Sequence, residues 1–227
     1  QYISRKCFHY FSLKMKKILI IGGLGYIGTE LSKLYSGFSW KYEVVVIDNR
    51  FISERVNELK RRKIKFIQAD ILDIKTIRPH INKADFVYHL AGITDVAYVK
   101  KEIDKAKDIL IKQVAIDGTA NVLSSMNKDA TIIFPSTHVV FEGLKTQMEN
   151  LDESFPTSTF LEYSSCKVQN EQQIKSSGKK YVIFRLGSVY GFSTDTMRIN
   201  IMPNLFSKIA SQNGKIKLFG GGNQLKS

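Results

Sequence analysis

The chain has 227 residues, 43% of them hydrophobic, and carries a formal net charge of +13. That length buries one sizeable core with room for a small second lobe, and the absence of any apolar run of about 18 residues excludes a transmembrane helix. The 2 cysteines and 4 histidines are dispersed, so they supply neither a disulfide framework nor a metal site and fit a reducing, cytoplasmic setting.

The positive charge invites a nucleic-acid partner, but its distribution argues for a solvated basic surface instead. Arg5, Lys6, Lys14, Lys16 and Lys17 gather at the start, and the rest is scattered lysine without an arginine stripe or interleaved aromatics. Residues 1–14 contain no acid and no apolar segment of the signal-peptide type. Met15 stands immediately before the first apolar run. The expectation is therefore that Met15 is the natural start and that residues 1–14 lie outside the fold.

Residues 18–21 form a short β-branched run and predict a buried parallel strand. Gly22, Gly25 and Gly28 follow at G-x-x-G-x-x-G spacing, and residues 29–35 predict a helix with Leu31 and Leu34 turned inward. Strand, glycine turn and helix in that order give the spacing chemical meaning. Side chains in the turn would block a pyrophosphate, which otherwise sits on the free N–H groups at the helix N-terminus. An ordinary glycine-rich turn without a ligand is the plain alternative.

Residues 43–48 predict the second strand, ending in Asp48, 20 residues after Gly28. An acid there accepts hydrogen bonds from ribose hydroxyls and repels a 2′-phosphate, which favours NAD over NADP. Arg50 pulls the other way, and a simple strand-end cap would also explain Asp48. Residues 64–70 predict a third strand. Asp70 then either accepts from an adenine amino group or caps the helix expected near Asp73.

A fourth strand over 86–92 ends in small residues that leave room for a cofactor, and His89 within it reads as a core histidine. Residues 101–126 predict a long helix in which Gly118 and Ala120 permit close approach to the sheet and Asp117 or Asn121 turns toward the cofactor. Residues 131–135 and 181–186 predict the last two strands. Strands alternate with helices as far as Gly191, the pattern of a doubly wound α/β sheet.

Between those last strands lies Tyr163-Ser-Ser-Cys-Lys167, a Y-x-x-x-K pair that a helix would place on one face. Ser136 and Thr137 end the fifth strand at the carboxyl edge, where such sheets bind ligands. A nearby ammonium and a cationic nicotinamide ring would favour the Tyr163 phenolate and lower its pKa. Tyr163 would then take a proton from a substrate hydroxyl as hydride leaves for NAD, with Thr137 holding the same oxygen. A surface helix with an unrelated Tyr and Lys is the bland alternative.

Taken together, these residues resemble the extended short-chain dehydrogenase/reductases, the NAD-dependent epimerase/dehydratase family with its Rossmann fold. The resemblance is carried by residues 22–28, Asp48-Asn49, Ala69-Asp70-Ile71, His89-Leu90-Ala91-Gly92, residues 117–121, residues 136–143 and Tyr163 to Lys167. It implies that Tyr26, Ile27, Asn49, Ile71, Leu90, Ala91 and Gly92 join the three glycines, Asp48, Asp70 and Lys167 around NAD. It also implies that Thr137, rather than Ser136, joins Tyr163 and Lys167 in catalysis, and that Thr137, His138 and Ser188 meet the substrate.

The activity it implies is oxidation of a nucleotide-sugar hydroxyl, most commonly at C4, in a homodimer built through the helices around 105–126 and 163–175. Ser188 replaces a usual Asn, and His138 and Val139 stand where dehydratases carry acids, which favours an epimerase or reductase. The expected division is an NAD-binding domain over 15–191 and an incomplete C-terminal substrate lobe over 192–227. Relatives continue well past that point. A non-catalytic NAD(P)-binding regulatory or redox-sensing module is the alternative, although such relatives tend to lose the Tyr or the Lys.

Overall fold

A computed structural model describes residues 15–94, 105–146, 148–193, 197–199 and 201–222. The expectation for residues 1–14 lies outside them, as does the start of the helix expected from Lys101. Six parallel strands, β1 (Lys16–Ile21), β2 (Tyr42–Asp48), β3 (Lys65–Gln68), β4 (Phe86–His89), β5 (Thr131–Thr137) and β6 (Lys180–Leu186), lie in the order β3-β2-β1-β4-β5-β6. The order reverses between β1 and β4, and ligands bind at such a switch point, beyond the carboxyl ends of the strands.

Alternation along β1 explains why both faces are covered. Ile18 and Ile20 join Val44, Val46 and Leu59 in one apolar cluster, with Leu31 and Tyr35 packed on it. These last three residues belong to α1 (Tyr26–Ser36) and α2 (Ser53–Arg61). Leu19 and Ile21 join Ile47, Val87, Ile132 and Phe134 in a second cluster on the opposite face. There they meet Ile77 and Ile81 of α3 (Ile74–Ile81), Val122 and Leu123 of α4 (Lys105–Ser125), and Ile174 of α5 (Glu162–Ser176). A strand covered on both faces reads as a continuous apolar run, as residues 18–21 do.

Two helix-face expectations fail. Leu34 is 58% exposed, because α1 buries Gly28, Thr29 and Ser32 and so lies close to the sheet through small residues. Ala120 is likewise exposed, whereas Gly118 does permit close packing: a Cβ there would lie 2.4 Å from Ile71 Cδ1. Beyond β6, a short helix α6 (Met202–Ser211) follows. Tyr181, Val182 and Phe184 on the edge strand β6 stay 41–51% exposed. No helix among the described residues is long and apolar enough to cross a membrane.

Candidate active site

The turn between β1 and α1 is made of backbone packed on backbone. Gly22 adopts φ +78°, and a Cβ there would sit 2.7 Å from the Ala91 amide nitrogen. A Cβ on Gly28 would lie 2.5 Å from Gly23 Cα. Gly23, outside the three-glycine spacing, is equally constrained, since its Cβ would meet Val46 Cγ1 at 2.6 Å. Gly25 begins α1 with no side-chain cap, and the first helical turn contains no acid. The N–H groups of that turn therefore remain available to an anionic ligand.

Asp48 is 4% exposed at the end of β2 and closes the turn from beside it. Its Oδ2 accepts from the Leu24 amide at 3.0 Å, and its Oδ1 accepts from the Arg50 amide and Nε, each at 3.1 Å. The acid and the arginine that argued opposite ways over the 2′-phosphate are thus an ion pair. Asp70 does not cap α3, since Asp73 does that by accepting from the Lys75 amide. Instead Asp70 accepts from the Leu72 amide at 2.9 Å and from Asn49 Nδ2 at 3.1 Å. Asn121 donates to the Ile71 carbonyl at 3.0 Å and holds that loop from α4, whereas Asp117 is exposed.

At the other end of the sheet, β5 delivers Ser136 and Thr137 to different tasks. The Ser136 hydroxyl donates to buried Glu171 at 2.5 Å, and Arg185 donates to the same carboxylate at 2.8 and 3.1 Å. Thr137, whose hydroxyl accepts from the Val139 amide at 3.3 Å, lines the same cleft as Tyr163. Tyr163 and Lys167, one turn apart on α5, face the same space. Lys167 Nζ donates to the Pro135 carbonyl at 2.8 Å and lies 4.3 Å over the Phe134 ring and 5.9 Å over the Tyr163 ring.

The charges differ from the sequence expectation. Burial raises the Tyr163 pKa above its ordinary value. The Arg198 charge and the neighbouring Thr137 hydroxyl act against that rise. Burial pushes Lys167 down to about 8, although Glu171 opposes it. His89 is 1% exposed, and its Nε2 lies 2.9 Å from Thr119 Oγ1. Its Nδ1 has no hydrogen-bond partner, and burial first, then the Lys167 charge, drives its pKa down to about 3. It is a neutral core histidine, incompletely satisfied.

One cleft of about 970 Å³ joins the two ends. Every residue expected around the cofactor or substrate lines it: the three glycines with Tyr26 and Ile27, Asp48 with Asn49, Asp70 with Ile71, Leu90 to Gly92, and Thr137, His138, Tyr163, Lys167 and Ser188. Two of these also have structural bonds: the Tyr26 hydroxyl donates to the Gly191 carbonyl at 2.6 Å, and His138 Nδ1 lies 3.0 Å from the Leu186 carbonyl. Sequence reasoning missed Arg198, which lines the same cleft. It belongs to no regular element, so no periodicity could have singled it out.

A parallel sheet with a glycine cradle at its switch point, an acid ending the second strand and a long cleft along the carboxyl edge defines a dinucleotide-binding α/β protein. Residues 18–227 match the sequence model of the NAD dependent epimerase/dehydratase family. The chain belongs to that family, and NAD is its cofactor. It is 27% identical over 220 residues to a UDP-N-acetyl-alpha-D-glucosaminuronate decarboxylase of Bacillus cytotoxicus, covering 93% of this chain and 66% of that protein.

A UDP-glucose 4-epimerase of Lactobacillus helveticus is 28% identical over 224 residues, covering 90% of this chain and 63% of that protein. Among solved structures, a UDP-glucose 4-epimerase of Thermotoga maritima, with UDP-glucose, superposes with a TM-score of 0.73 at 23% identity. That match covers 91% of this chain and 66% of the solved one. The chain thus spans about two thirds of the length of these relatives.

Proposed function

We propose that this protein takes part in epimerisation of a nucleotide sugar, oxidising a sugar hydroxyl at C4 with Tyr163 as the base. The observation that carries the reading is that Thr137 and Tyr163, with Lys167 above the Tyr163 ring, line one cleft that starts at the glycine turn. Residues 15–191 hold the cofactor in this reading, and residues from 192 onward belong to the substrate side. The curated relatives act on UDP-linked sugars, which makes a UDP-hexose the first substrate to try.

The first turn of α1 holds the pyrophosphate, Asp48 the adenosine ribose, and Asn49, Asp70 and Ile71 the adenine side. Leu90 to Gly92 leave room for the middle of the dinucleotide, and Lys167 meets its far end. When bound, NAD supplies the acceptor for the hydride that leaves the sugar carbon. Tyr163 takes the hydroxyl proton, so the alcohol becomes a carbonyl with both hydrogens accounted for. Thr137 holds the substrate oxygen against the phenol. The Lys167 ammonium, fixed by the Pro135 carbonyl, lends positive charge to the site. His138 and Ser188 contact the sugar nucleotide.

Tyr163→Phe tests this. Substrate-dependent turnover should fall by about 100- to 10,000-fold while NAD binding, followed by calorimetry, is retained. Unchanged turnover would remove Tyr163 from the role. A homodimer in the cytoplasm is the companion proposal, supported by Ile109 and Leu110 of α4, which are 68% and 46% exposed. Light scattering at monomer mass would dismiss the dimer.

A further inference from the structure

Thr137 and Tyr163 belong to separate elements that line one cleft, and they can act on one oxygen only if those elements are held at one spacing. Thr137 caps a four-residue 3-10 turn (His138–Phe141) by accepting from the Val139 amide, and Glu142 follows directly as the C-cap of that turn. Helix α5 begins with Leu161, whose side chain supplies no cap. The missing acceptor comes from Glu142. Its Oε1 accepts from the Leu161 amide at 2.7 Å and the Phe160 amide at 3.1 Å, and also from the Ser164 hydroxyl. A carboxylate on backbone N–H groups at a helix start makes charge-assisted bonds and opposes the helix dipole.

The same junction is close-packed. Gly143 donates to the Ser158 carbonyl and Ser158 to the Val140 carbonyl, each at 2.8 Å. A Cβ on Gly143 would lie 2.6 Å from Ser158 Oγ.

We propose that Glu142 is a positioning residue that locks the start of α5 to the 3-10 turn and thereby sets the Thr137–Tyr163 spacing. Its side chain sits on amides immediately before Tyr163, and only the rigid turn separates it from Thr137. It touches neither reacting atom. Its action on the chemistry rests on the reading of Tyr163 as base, whereas its action on geometry does not.

The experiment therefore reads geometry first. The carbon-13 shift of Tyr163 Cζ, assigned by its loss in Tyr163→Phe, reports the phenol's surroundings in the full chain without turnover. Thr137→Val supplies the shift expected when the Thr137 hydroxyl is taken away from the phenol. Glu142→Ala should move the signal in the same direction, and Glu142→Asp, one methylene shorter, should do likewise. Glu142→Gln keeps an oxygen within reach of the amides and should stay near wild type. In turnover, Glu142→Ala should lower kcat by about 10- to 100-fold with KM nearly unchanged, and Glu142→Gln should recover most of the loss.

If Glu142→Ala fails to fold, the Asp and Gln variants carry the comparison. A signal that moves in Thr137→Val but in neither Glu142→Ala nor Glu142→Asp overturns the proposal, because the backbone bonds at Gly143 and Ser158 would then suffice. A moved signal together with full turnover in Tyr163→Phe overturns the catalytic reading instead and leaves the positioning role standing.

Discussion

At the glycine end of the cleft, position is held by atoms that are absent: Gly22 lies against Ala91, Gly28 against Gly23, and Gly23 against Val46 wherever a Cβ would intrude. At the tyrosine end, position is held by atoms that are present. Glu171 receives Ser136 and Arg185, Asn170 ties α5 to the Ala115 carbonyl of α4, and Glu142 sits on the start of α5. The first end should therefore break when atoms are added, the second when they are removed.

The largest effect is expected at Glu171, whose side chain is 4% exposed beside an Arg185 side chain that is 14% exposed. Glu171→Ala would leave Arg185 without its carboxylate, though still donating to the Glu153 carbonyl at 3.3 Å, and the loss of one partner costs about 3–5 kcal/mol in comparable buried pairs. A urea melt checks it, and a loss well below that range would mean the tyrosine end has other supports. At the glycine end, Gly22→Ala adds one methyl group at φ +78° against backbone. It should cost about 1–3 kcal/mol of stability and abolish NAD binding in calorimetry. Retained affinity would show that the cradle gives way more easily than its packing implies.

Acid separates two further groups. The folded-state pKa of His89 is about 3 against an ordinary 6.5, so the unfolded chain binds the extra proton between those values. Stability should then fall as pH drops through that window, approaching about 1.4 kcal/mol per pH unit. Burial pushes the Glu171 carboxyl up, but hydrogen bonds from Arg185 and Ser136 outweigh it and hold the group below its ordinary 4.5. Its contribution is present above that value and is lost as pH falls through the depressed one. Chemical melts at pH 6.5 and 5 read His89 together with His80, whose pKa burial and the Lys65 and Lys83 charges also lower. His89→Gln should flatten that limb and leave the steeper loss below it, and an unflattened limb would assign it to another group.

The smallest effect belongs to Arg50, whose side chain is 55% exposed where it meets Asp48. Arg50→Gln should change stability by less than about 1 kcal/mol. Removing the positive partner leaves Asp48 to repel a 2′-phosphate unaided, so NADP affinity should fall while NAD affinity holds. Equal losses for both cofactors would mean that Arg50 orders the turn rather than selecting between them.

The glycine end was legible in the sequence because its signal is local. A β-branched strand, three spaced glycines and Asp48 fall within one short stretch, and the doubly wound sheet, though not its strand order, follows from alternation. Tyr163 and Lys167 were legible for the same reason, as one helical turn. The supports were not. Glu142 acts across the chain on Leu161, Glu171 on Ser136 and Arg185, and neither partnership leaves a periodic trace. Leu34 misled because a helix built to approach the sheet closely buries Gly28, Thr29 and Ser32 instead of its large residues. Thr137 was separated from Ser136 by family spacing, and in the structure Ser136 donates to Glu171.

The parallel pairing has a consequence for the order in which the molecule comes into being. Gly22 packs against the backbone of Leu90 and Ala91 beyond β4, and β1 pairs with β4 from Ile18 and Phe86 onward. A growing chain thus encodes the phosphate turn well before β4 but cannot complete its packing until β4 has been synthesised. Non-local pairing of this kind slows folding. The nascent polypeptide must carry an unfinished β1 edge through that interval, open to chaperones and to misassembly, and the capacity to bind NAD should emerge only when the fourth strand docks.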